Sequence, residues 1–329
     1  MAKLVTIYGG SGFVGRYIAR RMAQAGWRVR VAVRRPNEAL HVKPYGAVGQ
    51  VEPVFCNIRD DASVRLVMQG ADAVVNCVGI LVERGPNKFE TVQAEAPGRI
   101  ARIAAESGVA QLVQISAIGA DANSESLYQR TKAAGEARIL EAFPDAVILR
   151  PSIIFGHEDG FFNRFAGMTR MSPFIPVVGG GTRFQPVYVD DVAVAAAKAV
   201  HGEVAPGIYE LGGPEIATFR ELMQMMLLEI RRNRILLSIP FPVASVMGGA
   251  LDLVQKATFG LFTNTLLTRD QVRNLRRDNI VSPDAKGFSD LGVVPTPMET
   301  VLPAYLWTYR PGGQYKAIHE SASHLKRHQ

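Results

Sequence analysis

Tyr128 and Lys132 stand four residues apart in a segment of helical patterning, a spacing that puts both side chains on one helix face. A lysine ammonium beside a phenol favours the phenolate, so the pair predicts a tyrosine pKa below its ordinary value of about 10. Such a tyrosine can exchange a proton with a carbonyl or alcohol while a nicotinamide exchanges hydride. Ser116, at the end of an apolar run, would hold the reacting oxygen. The same groups suit a second job. Tyr128 and Lys132 can hydrogen-bond a nicotinamide ribose without any chemistry, leaving no catalytic residue. These side chains do not separate catalysis by Ser116, Tyr128 and Lys132 from cofactor grip alone.

A dinucleotide site is signalled near the start of the chain. Gly9-Gly10-Ser11-Gly12-Phe13-Val14-Gly15 follows a β-rich run and opens an amphipathic helix. In this context the first glycine permits a tight turn, Gly12 lets the backbone approach a pyrophosphate, and Gly15 allows close helix–strand packing. The helix N-terminus adds N–H donors and the positive end of a dipole. An NAD pocket usually places an acid about 20 residues beyond the glycines, on the ribose 2′-hydroxyl. Here the second strand ends in Arg34-Arg35, and no acid precedes Glu38. Guanidinium pairs bidentately with phosphate, so NADP(H) is expected, with Arg34 or Arg35 on its 2′-phosphate.

Alternating elements must position these groups. Strands are expected at 4–8, 28–33, 51–55, 73–77, 111–115 and 146–150, with helices at 14–25, 62–68, 90–106 and 128–142. That alternation implies right-handed crossovers and a doubly wound α/β domain, its parallel sheet covered on both faces. After Pro151 the rhythm loosens. Val187–Val189 and Ile208–Leu211 suggest further strands, and Thr218-Phe219-Arg220-Glu221 reads as a capping box opening a helix to about Arg231. Met223, Met225 and Met226 in that helix read as core filler. From Val243 to Phe262 apolar residues recur at helical spacing. The expected organisation is a nucleotide-binding domain over 1–210, with late segments crossing over. A smaller mixed C-terminal region over 211–309 and an extended tail over 310–329 would follow.

Composition excludes several classes. Of 329 residues, 47% are hydrophobic and 20% charged, enough for a packed core and against wholesale disorder. Two cysteines, Cys56 and Cys77, make neither a disulfide framework nor a thiolate cluster. The net charge of +7 suits anionic partners, but it is spread along the chain without an aromatic–basic platform, so nucleic acid is not expected. His319, His324 and His328 lack nearby carboxylates apart from Glu320, and no metal site is expected. The longest uncharged stretch, 235–251, is broken by prolines and glycines and reads against a spanning helix. Met1-Ala2-Lys3 leads straight into the first strand without an apolar leader, which predicts a bacterial cytoplasmic setting.

Together the glycine turn, Asn76-Cys77-Val78-Gly79, Ser116, Tyr128 with Lys132, and Leu149-Arg150-Pro151-Ser152 resemble atypical, extended short-chain dehydrogenase/reductases of Rossmann fold. A narrower resemblance rests on three segments. These are Tyr128-Gln129-Arg130-Thr131-Lys132-Ala133-Ala134-Gly135-Glu136, Pro151-Ser152-Ile153-Ile154-Phe155-Gly156-His157-Glu158-Asp159 and Leu267-Thr268-Arg269-Asp270-Gln271-Val272. They look like the nucleotide-binding accessory subunit of respiratory complex I, and the last is the most discriminating. The resemblance implies a chain that binds NADPH as a structural ligand outside the electron path. It would dock on other complex I subunits of the hydrophilic arm and membrane interface, peripheral to a bacterial inner membrane. Carried over, Gly9, Ser11, Gly12, Phe13 and Val14 would face the pyrophosphate, and Arg34 with Arg35 the 2′-phosphate. Asn57 and Ile58 would flank the adenine, Val78 and Gly79 the ribose, and Tyr128, Lys132, Pro151 and Ser152 the nicotinamide half. The alternatives are a free-standing NADP-dependent reductase or epimerase using Tyr128 and Lys132, and a nucleotide sensor. The 243–262 stripe could cover the second core or dock outward. The basic run Arg269, Arg273, Arg276 and Arg277 suits acidic partners, anionic lipid or plain solvation.

Overall fold

The computed structural model describes residues 2–258, 264 and 267–313. Seven strands form one all-parallel sheet: β1 (Leu4–Tyr8), β2 (Arg28–Val33), β3 (Val51–Phe55), β4 (Ala73–Asn76), β5 (Gln111–Ile115), β6 (Val147–Pro151) and a late strand, β11 (Gly207–Leu211). Their spatial order is β11-β6-β5-β4-β1-β2-β3. The chain winds outward from β1 to β3, then returns and winds the other way from β4. A crevice therefore opens between the C-terminal ends of β1 and β4, where open α/β sheets bind ligands. Every residue of β1 and β4 is buried, as a parallel sheet covered on both faces requires.

Two helical layers cover the sheet. On one face lie α1 (Phe13–Gln24) and α6 (Val189–His201), which bury Ile18, Met22, Val192, Ala195 and Ala199 against the strands. On the other lie α2 (Asp61–Met68), α3 (Ala96–Glu106) and α4 (Leu127–Ala142), contributing Val64, Val67, Ile100, Ile103 and Ile139. The expected single helix over 90–106 divides, with 90–95 in π geometry before α3. Pro97 has no N–H to return to the Gln93 carbonyl, and a wider turn relieves that vacancy. The freed carbonyl faces Gly135 of α4, where an added Cβ would overlap it.

The remaining chain builds a second core. The short strands β7 (Ile154–Phe155) and β10 (Val187–Tyr188) pair in parallel, and the next segment coils into α5 (Phe162–Met168). Beyond it, β8 (Phe174–Val178) lies beside β13 (Ile235–Ile239), and β9 (Arg183–Phe184) beside β12 (Ala217–Thr218). The capping box on α7 (Phe219–Glu229) is formed in both directions, and Met223 and Met226 are fully buried in the core as filler. Helix α8 (Phe241–Ala257) turns its small residues, Ala244 and Gly248, inward, while Val243, Val246 and Leu253 are exposed. The stripe thus does not cover the second core; its last residues, 259–262, lie outside the described residues. Two short helices, α9 (Arg269–Asn274) and α10 (Met298–Leu306), complete the fold. Between them, residues 279–293 pack back on the nucleotide sheet, with Phe288 and Leu291 in its core.

Candidate functional site

The glycine turn closes between β1 and α1. Gly9 adopts φ +74°, and its carbonyl accepts the Gly12 N–H at 2.9 Å. An added Cβ at Gly15 would overlap the Gly9 carbonyl and lie 2.7 Å from the Gly10 Cα, so only glycine lets α1 approach so closely. At Gly12, by contrast, a Cβ would meet only Gly9 O, at 3.2 Å, and otherwise project into open space above the turn. That space is the cradle a pyrophosphate would fill. Ser11 precedes α1, and Phe13 and Val14 open its first turn, the Phe13 ring standing edge-on to Tyr17 at 6.2 Å.

At the end of β2 the two arginines differ. Arg35 pairs with Glu38 at 2.9 Å, whereas exposed Arg34 has no hydrogen bond or ion pair among the described residues. Arg34 is thus the one of the two without a competing carboxylate among these residues. Asn57 and Ile58 follow β3 on the same sheet edge. Ser63 Oγ accepts from the Asn57 backbone at 2.9 Å, and the Ile58 carbonyl accepts from Arg99 at 3.1 Å.

Across the crevice, Val78 rests on Gly9, its Cγ2 3.1 Å from where a Gly9 Cβ would stand. Gly79 lies beside Lys132, with 3.5 Å from its notional Cβ to Nζ. Lys132 is buried, donates to the Ile115 carbonyl at 3.4 Å and lies 6.0 Å from the Tyr128 ring centroid. Helical spacing thus brings Tyr128 and Lys132 together as expected. The expected phenolate is not what results. Burial pushes the Tyr128 phenol up to about 12, and it pulls the Lys132 ammonium down to about 8 against the opposing pull of Glu136 and Cys77. Phe89 stands edge-on to Tyr128 at 5.9 Å, and the Tyr128 hydroxyl has no partner among the described residues.

Ser116 is turned elsewhere. Its hydroxyl donates to Glu136, which in turn pairs with Arg150 at 2.5 Å; Arg150 also reaches Glu210 at 3.6 Å. The serine is spent in a buried charged network rather than on Tyr128. Pro151 accepts from the Ile118 N–H at 3.0 Å, and Ser152 Oγ donates to Asn279 at 2.7 Å. Three contributors had no specific site role assigned from the sequence. Arg16 donates to the Ser11 carbonyl at 3.2 Å and pairs with Glu158 at 3.3 Å, so it overhangs the turn. Its position one turn after Gly12 was the available signal. Glu136 and Asn279 carried no comparable signal, since their partners are distant in the chain. The basic run is also partly committed: Arg277 pairs with Asp121 at 3.2 Å, and Arg273 donates to the Glu125 carbonyl at 3.4 Å. His319, His324 and His328 lie outside the described residues.

An open cradle over Gly12, an unpaired guanidinium 22 positions along, and an unpartnered phenol beside a buried lysine fit a dinucleotide stretched across the strand ends. Residues 5–212 match the model of the NAD dependent epimerase/dehydratase family. The chain is 36% identical over 94% of its length to NADH dehydrogenase (ubiquinone) 1 alpha subcomplex subunit 9, mitochondrial, of Arabidopsis thaliana, covering 79% of that protein. It belongs to the epimerase/dehydratase family and, within it, to the subunit-9 group of complex I.

The subunit-9 protein of Mus musculus, also named mitochondrial, is 32% identical over 90% of the chain and is covered over 78% of its length. The fold is also shared at a distance: the solved structure of MoeE5 with UDP-glucose and NAD superposes with a TM-score of 0.68, 15% identity and coverage of 92% and 97%. These relatives correct one expectation. The subunit-9 proteins are named mitochondrial, which overturns the placement on a bacterial inner membrane. That placement rested on the first few residues, and a folded core of this kind carries no compartment label of its own. Among the described residues no helix is long and apolar enough to cross a membrane.

Proposed function

We propose that this chain is an accessory subunit of a proton-pumping NADH:quinone oxidoreductase that holds NADPH as a structural ligand, outside the electron path. The observation that carries this reading is the likeness to subunit-9 proteins over nearly the whole chain, C-terminal region included. Gly9, Ser11, Gly12, Phe13 and Val14 would hold the pyrophosphate, Arg34 the 2′-phosphate, and Asn57 and Ile58 the adenine side. Val78, Gly79, Tyr128, Lys132, Pro151 and Ser152 would surround the nicotinamide half. NADPH itself offers hydride chemistry. Opposite it, this chain presents a neutral phenol and a serine committed to Glu136, which supports grip over turnover. Tight binding would stabilise the fold by about 4 kcal/mol at a thousandfold excess over Kd. The outward face of α8, with Val243, Val246 and Leu253, is the proposed contact with partner subunits at the membrane interface.

Blue-native electrophoresis of membranes, probed for this chain, tests the reading. The chain should migrate with the large oxidoreductase, and Tyr128→Phe should leave that migration intact. Arg34→Ala should weaken NADPH binding by roughly 10–100-fold, the worth of a charged hydrogen-bonded pair. Migration only as a small soluble species would overturn the subunit assignment. A Tyr128→Phe protein that assembles normally but loses an NADPH-dependent reduction would overturn the role of NADPH as a purely structural ligand.

A further inference from the structure

Helix α4, which carries Tyr128 and Lys132, has no acidic residue in its own first turn. Its opening N–H groups, which an isolated helix leaves unpaired, are met by a carboxylate from 142 residues downstream. Asp270 accepts from the Leu127 N–H at 2.8 Å, the Tyr128 N–H at 3.2 Å and the Ser126 hydroxyl at 2.7 Å. It thereby places a negative charge at the positive end of the helix. Ser126 still caps Gln129 with the same oxygen. The segment that follows continues along the loop leading into α4. Arg273 holds the Glu125 carbonyl, Arg277 holds Asp121, and Asn279 both donates to the Ile118 carbonyl at 3.4 Å and accepts from Ser152.

Asp270 is itself fixed from behind. Thr268 and Gln271 form a two-way capping box on α9. The Arg269 N–H donates to Asp252 of α8 at 3.0 Å, and a Cβ at Gly248 would lie 2.9 Å from that same nitrogen. Residues 268–279 thus form a strap from α8 to the nicotinamide half of the nucleotide site.

We infer that Asp270 is a positioning residue for that half: it sets the start of α4, and with it the placement of Tyr128 and Lys132. The inference rests on the nucleotide reading above and gives the Leu267–Val272 segment a task. Among the described residues no hydrogen bond or ion pair joins the strap to the Gly9–Gly15 turn or Arg34, on which the adenosine half is built.

Titration of the full-length chain with two probes, NADPH and 2′,5′-ADP, separates the possibilities. The second probe has the adenosine and 2′-phosphate but no nicotinamide. Wild-type protein should bind both. Asp270→Ala should bind NADPH about tenfold more weakly and 2′,5′-ADP unchanged, the latter also showing that the variant is folded. Asp270→Asn, which keeps one acceptor oxygen, should fall between. NADPH affinity unchanged in Asp270→Ala, or equal losses for both probes, would overturn the positioning role. Wild-type protein that takes up neither probe would instead overturn the nucleotide reading itself.

Discussion

Lys132 shows how burial rewrites the chemistry of a side chain. With its ammonium near 8 in the fold against 10.5 unfolded, the folded state disfavours protonation. Between those values the unfolded chain holds a proton that the folded chain has released, so stability rises with pH across the window. Below about pH 8 the penalty, about 3 kcal/mol, is present in full. Denaturant unfolding at pH 7 and pH 10 should therefore show the wild type gaining on Lys132→Met by about that amount. A parallel pH response in the two proteins would place the lysine's charge outside the account. The same desolvation keeps Tyr128 protonated, the reverse of what its spacing from Lys132 alone implies.

At the scale of elements, α1 is held against β1 by the absence of a side chain. Gly15→Ala would press a methyl into the Gly9 carbonyl and Gly10 Cα, both backbone atoms that can move only by opening the turn. Urea unfolding of this variant should show a loss of about 1–3 kcal/mol, and NADPH binding should weaken with it because the displaced turn is the cradle. Stability and binding equal to wild type would show that the helix can slide without cost. The π turn at 90–95 is the complementary case. One proline withdraws one hydrogen bond, and the helix widens locally where α4 packs closest.

Across the whole molecule, buried charge ties together elements distant in the chain. Glu136 on α4, Arg150 on β6 and Glu210 on β11 join three segments, and Glu210 also accepts from the Ser282 N–H at 2.8 Å. Removing one member leaves its partners charged and desolvated. Glu136→Ala should cost about 3–5 kcal/mol in denaturant unfolding, while replacing Glu136, Arg150 and Glu210 together with apolar residues of similar volume should cost much less. Equal losses in the single and triple variants would show that the pairing itself adds nothing. The network also explains why Ser116 serves structure: its hydroxyl is the nearest donor to a carboxylate that must be satisfied.

The amino-acid order by itself determined whatever depends on near neighbours in the chain. It determined the glycine turn, the six early strands within about a residue, the α7 capping box and the joint placement of Tyr128 and Lys132, because turns, caps and helical faces are set within four residues. The tertiary structure decided where Ser116 points, which way the Tyr128 pKa moves and what caps α4. Each of those depends on groups brought from tens to more than a hundred residues away, or on how far water is excluded, and neither is encoded in local spacing.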